Sequence, residues 1–195
     1  MNAELKAKVI FFATGNIHKF NEARVVLAGY GLAAGMLRVK GVEIQSDSLS
    51  EIAATSALGA YKQIHLPVIV EDAGLFVDAL KGFPGPYAAY VFKTIGNGGL
   101  LKLMSNFLDR EATFRSAIAY CDDDSGAVTC FDGEAKGKIT TTQLKGQRSA
   151  FGFDPVFQPD GASKTFAQMS LVEKNLFSHR AKAFAKFAEW YVARK

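Results

Sequence analysis

"KVIFFATGNIHKFNEARVVL", residues 8–27, changes rhythm at its centre and decides how the fold begins. Val9 to Ala13 form an unbroken run of apolar or small residues, the pattern of a strand buried on both faces. Beyond Thr14-Gly15-Asn16, residues Ile17, Phe20, Ala23, Arg24 and Leu27 recur at three- and four-residue spacing, which predicts a helix over 17–28. A strand passing into a helix through Thr-Gly-Asn, with Lys19 one turn in, offers helix N–H groups, a glycine that admits a bulky ligand and a point charge. That combination suits phosphate. The spacing is not G-x-x-x-x-G-K-[ST], so phosphate-loop geometry does not follow. A buried strand-to-helix turn can also want Gly-Asn for its shape alone.

Working outward, the pattern predicts a strand over 37–44 and a helix over 50–63, opened by a capping box in "SLSE" in which Ser48 reaches forward and Glu51 back. "LPVIVED" reads as a buried strand ending at Glu71-Asp72, and "GLFVDAL" continues with alternation. "KGFPGPYAAY" reads as a rigid loop, and a helix follows near 97–108. "ATFRSAIAYC" and "VTCFDGEAKGKI" read as a hairpin whose tip sets Cys121 opposite Cys130. "SAFGFDPVFQ" is broken by glycine and rich in aromatics. Ser170 in "SLVEK" opens a second capping box, and Ser178 can cap the last helix. Strands alternating with helices, plus a late hairpin, predict an α/β protein with a mixed sheet.

A chain of 195 residues supports one domain, 1–195, with a sizeable core. With 49% hydrophobic and 22% charged residues, the composition is globular rather than disordered. The net charge of +4 is compatible with an anionic small molecule, a weak nucleic-acid contact or a solvated basic face. Its basic C-terminal stretch has apolar residues at helical spacing and reads first as an amphipathic surface helix. No signal sequence or membrane span is expected, and the two cysteines suit reduced thiols in the cytosol.

Among groups that could do chemistry, Glu71-Asp72 sits where α/β folds bind ligands, and adjacent acids in an apolar setting call for a divalent cation. Glu43 could converge on the same ion; equally, these acids could start turns or pair with surface lysines. Zinc-type spacing and a serine elbow are both missing, which leaves metal, carboxylate and phosphate-binding cations, the set for metal-assisted attack of water on phosphorus. In "FGFDP" a phenylalanine beside a carboxylate held by Pro155 could stack on a heterocycle and accept from its N–H edge, or could be a core aromatic pair with an ordinary turn.

"TGNIHK", "EDAGL", "FGFDP", "EKN" and "SHR", in this order and spacing, together with "LKGFPGPYAAYV", resemble the Ham1 family of inosine/xanthosine triphosphate pyrophosphatases. The likeness runs from about Val9 to Trp190. It implies a long mixed sheet with two lobes gripping a nucleotide, a homodimer, and magnesium, with manganese as the alternative. On that resemblance Thr14, Gly15, Asn16 and Lys19 cradle the triphosphate, and Ile17, His18 and Ala73 also bind substrate, Ala73 standing where relatives usually have serine. Glu43 and Asp72 are expected as metal ligands, Asp72 also as the base that activates water. Phe151, Gly152, Phe153 and Asp154 match the purine-binding segment, and Lys174, His179 and Arg180 match residues closing on base and sugar. The helix over 50–63, where many relatives place a phosphate-facing lysine, carries only Lys62. The implied activity is hydrolysis of ITP, dITP or XTP to the monophosphate and pyrophosphate, in the cytoplasm, without nucleic-acid or membrane partners. The rival readings are a Maf-like pyrophosphatase acting on other modified nucleotides and a non-catalytic nucleotide or RNA binder.

Overall fold

The opening apolar run forms strand β1 (Lys8–Ala13) and the periodic segment after it helix α1 (Ile17–Ala28), in a computed structural model that describes residues 8–39, 42–123, 125–146 and 151–194. Helix α1 buries Ala23 and Leu27. Strand β2 is Leu32–Leu37, parallel to β1 from Lys8↔Leu32 to Ala13↔Leu37. The predicted strand over 37–44 is therefore misplaced. The described part of "RVKGVEIQ" is irregular, and Lys40-Gly41 lies outside the described residues. The real strand, "LAAGML", is masked by weak strand formers. At Gly35 the Phe11 ring packs so close that a Cβ would lie 3.0 Å from it, and a larger residue would have to push the ring aside.

Helix α2 (Leu49–Ile64) starts as expected at Ser48, whose Oγ accepts from Glu51 N at 3.3 Å. The return bond is relayed: Ser46 donates to the Glu51 carboxylate at 2.6 Å and accepts from Ser48 N at 3.0 Å. Strand β3 (Val68–Val77) is continuous, so Glu71-Asp72 lies inside it rather than at its end. Pairing with β1 stops at Phe12↔Ile69, and Asp72 lies three residues further on, level with the Thr-Gly-Asn turn.

The loop after β3 contains the short strand β4 (Pro84–Gly85), then folds into helix α3 (Ala88–Thr94), so "KGFPGPYAAY" is only partly loop. Helix α4 (Gly96–Leu103) ends earlier than the sequence suggests. Strands β5 (Glu111–Cys121) and β6 (Thr129–Ile139) form the expected hairpin. Its register pairs Cys130 with Ala119 and sets Cys121 against Val68 of β3, so the cysteines are not opposite one another; both are free. Of "SAFGFDPVFQ", Ser149 and Ala150 lie outside the described residues; the rest is a turn, a 3₁₀ turn over Asp154–Val156 and the start of β7 (Phe157–Pro159). Ser170 caps α5 (Leu171–Phe177) with a full capping box, and Ser178 caps α6 (His179–Ala193).

The sheet order is β2-β1-β3-β5-β6-β7, with β4 attached to β3. Its β2-β1-β3 part is parallel and the remainder antiparallel, as a mixed sheet requires. Helices α1 and α6 cover one face through Phe12, Ile69, Ile118, Phe184 and Phe187, and α2 covers the other through Ala53, Ala57, Val68 and Ala117. A third core, built on Leu75, Phe114, Phe157 and Phe166, lies where β3 and β5 meet α3, α4 and β7. Among the described residues no helix is long and apolar enough to cross a membrane.

Candidate active site

Strand order reverses at β1: β2 lies on one side of it and β3 on the other. In open α/β sheets such a switch point leaves a crevice beyond the strands' carboxyl ends. Here the crevice is a cleft of about 840 Å³ lined by Thr14, Gly15, Asn16 and Lys19 from the first turn, Arg38 and Val39 after β2, and Glu43. Ile52 and Ser56 of α2, Glu71 and Asp72 of β3, and Tyr87 and Tyr90 complete it.

The Thr-Gly-Asn turn is internally braced. Thr14 Oγ1 accepts from Asn16 N at 3.1 Å, and Asn16 Oδ1 accepts from the N–H groups of His18 and Lys19 at 3.0 and 3.2 Å. Two N–H groups that the sequence leaves free for a ligand are thus capped by Asn16. Lys19 reaches across to β3, its Nζ 2.8 Å from Glu71 Oε2 and donating to the Glu71 carbonyl at 3.2 Å.

Consecutive residues of β3 face opposite ways. Glu71 points to the α1/α6 face, where Ser116 donates to its Oε1 at 2.7 Å and Arg180 Nε at 3.0 Å. Burial would raise its pKa, but Arg180 and Lys19 hold it at about 2. Glu71 is therefore an anchor already paired with cations and not the open half of an acid pair. Asp72 is the reverse case. Burial raises its pKa to about 6 against the pull of Lys19, Glu71 and Glu43 push it further up, and the Ala73 N–H opposes them. Asp72 Oδ2 is buried without a hydrogen-bond partner. Ala73 thus acts on Asp72 through its backbone. Among the described residues no group of three or more His, Cys, Asp or Glu converges on a metal position.

Across α1 from the cleft, a pocket of about 210 Å³ is lined by His18, Glu22, Arg24, Phe151, Asp154 and Leu171. The His18 ring stacks on Phe151 at 5.2 Å and 20°. Gly152 adopts φ +55°, a left-handed turn that glycine tolerates. Phe153 turns inward, edge-on to Phe92, into the core. Beneath the pocket runs a buried ionic network. Lys174 Nζ is 2.7 Å from Glu22 Oε1 and 2.6 Å from Asp154 Oδ2, and Arg180 Nη1 is 2.6 Å from Glu22 Oε2. Burial works against the Glu22 charge, yet Arg180 and Lys174 hold its pKa at about 2. Asp154 is displaced upward, burial outweighing Lys174. With Lys19, three cations face the three carboxylates of Glu22, Glu71 and Asp154.

The expected residues divide accordingly. Thr14, Gly15, Asn16, Lys19, Glu43 and Asp72 share the cleft; His18, Phe151 and Asp154 share the smaller pocket. Lys174 and Arg180 lie under it as buried struts, each also within 6 Å of the Phe151 ring. Ile17 is exposed and lines neither space. His179 is buried, stacked on Phe114 at 4.7 Å and 7°, and neutral, since burial and then Arg180 push its pKa well below 6.5. Glu22, the hub of the network, is not among the residues that the sequence marks; its only signal is an acid on α1 beside the buried stripe of Ala23 and Leu27.

Residues 10–190 match the Ham1 family. The chain is 49% identical over 182 residues to the dITP/XTP pyrophosphatase of Methanopyrus kandleri, covering 93% of this chain and 95% of that protein. It is likewise 49% identical over 186 residues to the dITP/XTP pyrophosphatase of Hyperthermus butylicus, covering 95% and 96%. The fold superposes on a Ham1 protein from Coxiella burnetii with a TM-score of 0.81 at 25% identity, covering 95% of this chain and 98% of that one. The Ham1 protein of Staphylococcus aureus gives 0.80 at 28% identity, covering 96% and 100%.

Proposed function

This chain belongs to the Ham1 family, and from that premise we propose that it is a pyrophosphatase of non-canonical purine nucleoside triphosphates, cleaving dITP, ITP and XTP to the monophosphate and pyrophosphate. The observation that carries the reading is Asp72, a half-open carboxylate with a raised pKa and an unpartnered oxygen, in a cleft shared with Lys19 and the Thr-Gly-Asn turn. A base is most effective when its pKa lies near the working pH, and about 6 meets that condition.

The unpartnered Asp72 oxygen and the Glu43 carboxylate on the same cleft fit a magnesium ion, which takes one or two protein carboxylates and fills the rest of its shell with water and phosphate oxygens. Manganese has the same hard-oxygen preference. Bound there, the ion would offset the triphosphate charge and polarise the phosphorus under attack. Asp72 accepts the proton of the attacking water. Lys19 faces the charge that grows on departing pyrophosphate, while Thr14, Gly15 and Asn16 shape the turn against the phosphates. The base lies against Phe151 in the pocket across α1, and Lys174 and Arg180 hold Asp154 and the pocket floor rigid. One helix, α1, therefore separates phosphate from base. The single domain spans 1–195 and works in the cytoplasm. A homodimer is supported by the exposed apolar residues Tyr90, Ile95, Leu103 and Leu108 on and after α3 and α4.

The test is pyrophosphate release from ITP, dITP, XTP, GTP, ATP and dTTP with magnesium. Preference for the first three is expected. Equal rates on ATP and ITP would overturn the substrate assignment, and tight binding without release would leave a nucleotide binder.

A further inference from the structure

The cleft holds two cationic side chains, and they are not equivalent. Lys19 is already engaged, its ammonium 2.8 Å from the Glu71 carboxylate and bonded to the Glu71 carbonyl. Arg38, at the carboxyl end of β2, lines the same cleft and is exposed to it. Its side chain makes no hydrogen bond or ion pair with any described residue. Helix α2, which forms the facing wall, contributes Ile52 and Ser56 there and no charge. Against Arg38 stand Glu43 and Asp72, the Glu71 carboxylate being buried and already paired with Lys19 and Arg180, so the cleft without ligand carries more acid than free cation. A triphosphate entering it meets one uncommitted positive side chain among the described residues. Guanidinium suits this role because it stays charged, is weakly hydrated and grips two phosphate oxygens at once.

We propose that Arg38 is a substrate-binding residue that clamps the outer phosphates of the triphosphate, in the cleft it shares with Lys19. This rests on the pyrophosphatase reading for the identity of the substrate, but the clamp itself is a claim about polyphosphate. Because β2 is parallel to β1 and Arg38 directly follows the Ala13↔Leu37 pair, its position is set by the same strands that carry the Thr-Gly-Asn turn. It is positioned to act on the leaving group and not on the nucleoside. Arg38 therefore distinguishes tri- from monophosphate and is indifferent to the base.

The experiment is calorimetric titration of the full chain with tripolyphosphate, without divalent metal, in wild type, Arg38→Gln and Arg38→Lys, paired with dITP kinetics and dIMP inhibition in magnesium. Loss of a charge-assisted hydrogen-bonding partner corresponds to about a 10- to 100-fold effect. Arg38→Gln should weaken tripolyphosphate and raise the KM for dITP by that factor. Arg38→Lys should recover part of it, and dIMP inhibition should stay within about twofold of wild type by the same scale. Since the side chain has no described partner, melting temperatures should be unchanged. Tripolyphosphate binding unaffected in Arg38→Gln would overturn the proposal, as would equal loss of tripolyphosphate and dIMP. If wild type hydrolyses no nucleotide, the pyrophosphatase reading fails, and the tripolyphosphate titration still decides for or against the clamp.

Discussion

Replacing Asp72 with asparagine should sharply slow hydrolysis and at the same time make the metal-free protein more stable. The native fold displaces the Asp72 pKa from its ordinary 3.8 to about 6, burial being the main cause and Glu71 and Glu43 adding to it. At about 1.4 kcal/mol per pH unit, that displacement costs the folded state about 3 kcal/mol once the group is ionised, an upper figure because part of the side chain sees water. The sign follows from linkage: a carboxyl whose folded pKa is raised lowers stability above that pKa, and the penalty disappears as pH falls below the unfolded value. Asp72→Asn should thus gain about 1–3 kcal/mol at pH 8 and close to nothing at pH 4. For a chain of this size each kcal/mol is worth about 2–4 °C in Tm. Thermal melts of both proteins at the two pH values, with and without magnesium, measure it. Magnesium at a hundred times its Kd should add about 2.7 kcal/mol to wild type and much less to the variant, closing or reversing the gap between them. Turnover of Asp72→Asn should fall by about 10²–10⁴ from loss of the base alone. A variant no more stable than wild type at pH 8, or a gain independent of pH, would show that burial does not make the Asp72 charge costly to the fold.

Glu22→Gln should destabilise the protein by about 3–5 kcal/mol, seen as a lower urea midpoint, because Lys174 and Arg180 stay buried with one carboxylate fewer. Wild-type stability should decline as pH falls below about 4.5 toward 2, since Glu22 and Glu71 are held at about 2 in the fold and must take up protons there; acid titration followed by circular dichroism measures it. Phe151→Ala should weaken all purine nucleotides alike, by about 1–3 kcal/mol in kcat/KM, leaving the ITP-to-ATP ratio unchanged.

The parts that the sequence made legible are those where local chemistry and tertiary demand agree. The apolar run of β1, the 3.6-residue stripe of α1 and the Ser48, Ser170 and Ser178 caps each state their structure within a few residues. β2 escaped because "LAAGML" owes its conformation to β1, not to its own propensity, while the described residues of "RVKGVEIQ" form no strand. The hairpin was legible but its register was not. Tip symmetry put Cys121 opposite Cys130, whereas the pairing with β3 and the loop before β6 shift it by two residues. At the site, Lys19 could be found from its place in the first turn of α1 and Asp72 from its place in an acidic pair after an apolar run, although the strand does not end there. The opposite fates of Glu71 and Asp72 could not, because they depend on which face of β3 meets Ser116 and Arg180. Glu22 was hidden for the same reason: its partners are 152 and 158 residues away along the chain.

Strand β3 carries two carboxylates side by side whose roles are exchanged by a shift of one residue. Displaced by one position, it would push an unbraced acid into the ionic core and offer the cleft a residue meant for bonding inside the fold. The molecule guards against this error twice, with parallel pairing to β1 at Phe11↔Val68 and Phe12↔Ile69, and ten consecutive pairs with β5. Tolerance to insertions and deletions should therefore be very uneven. Length variation at the β5–β6 tip leaves both checks in place, whereas a single codon gained or lost between Ile69 and Ala73 would produce a chain that conserves every residue type of the site and none of its chemistry.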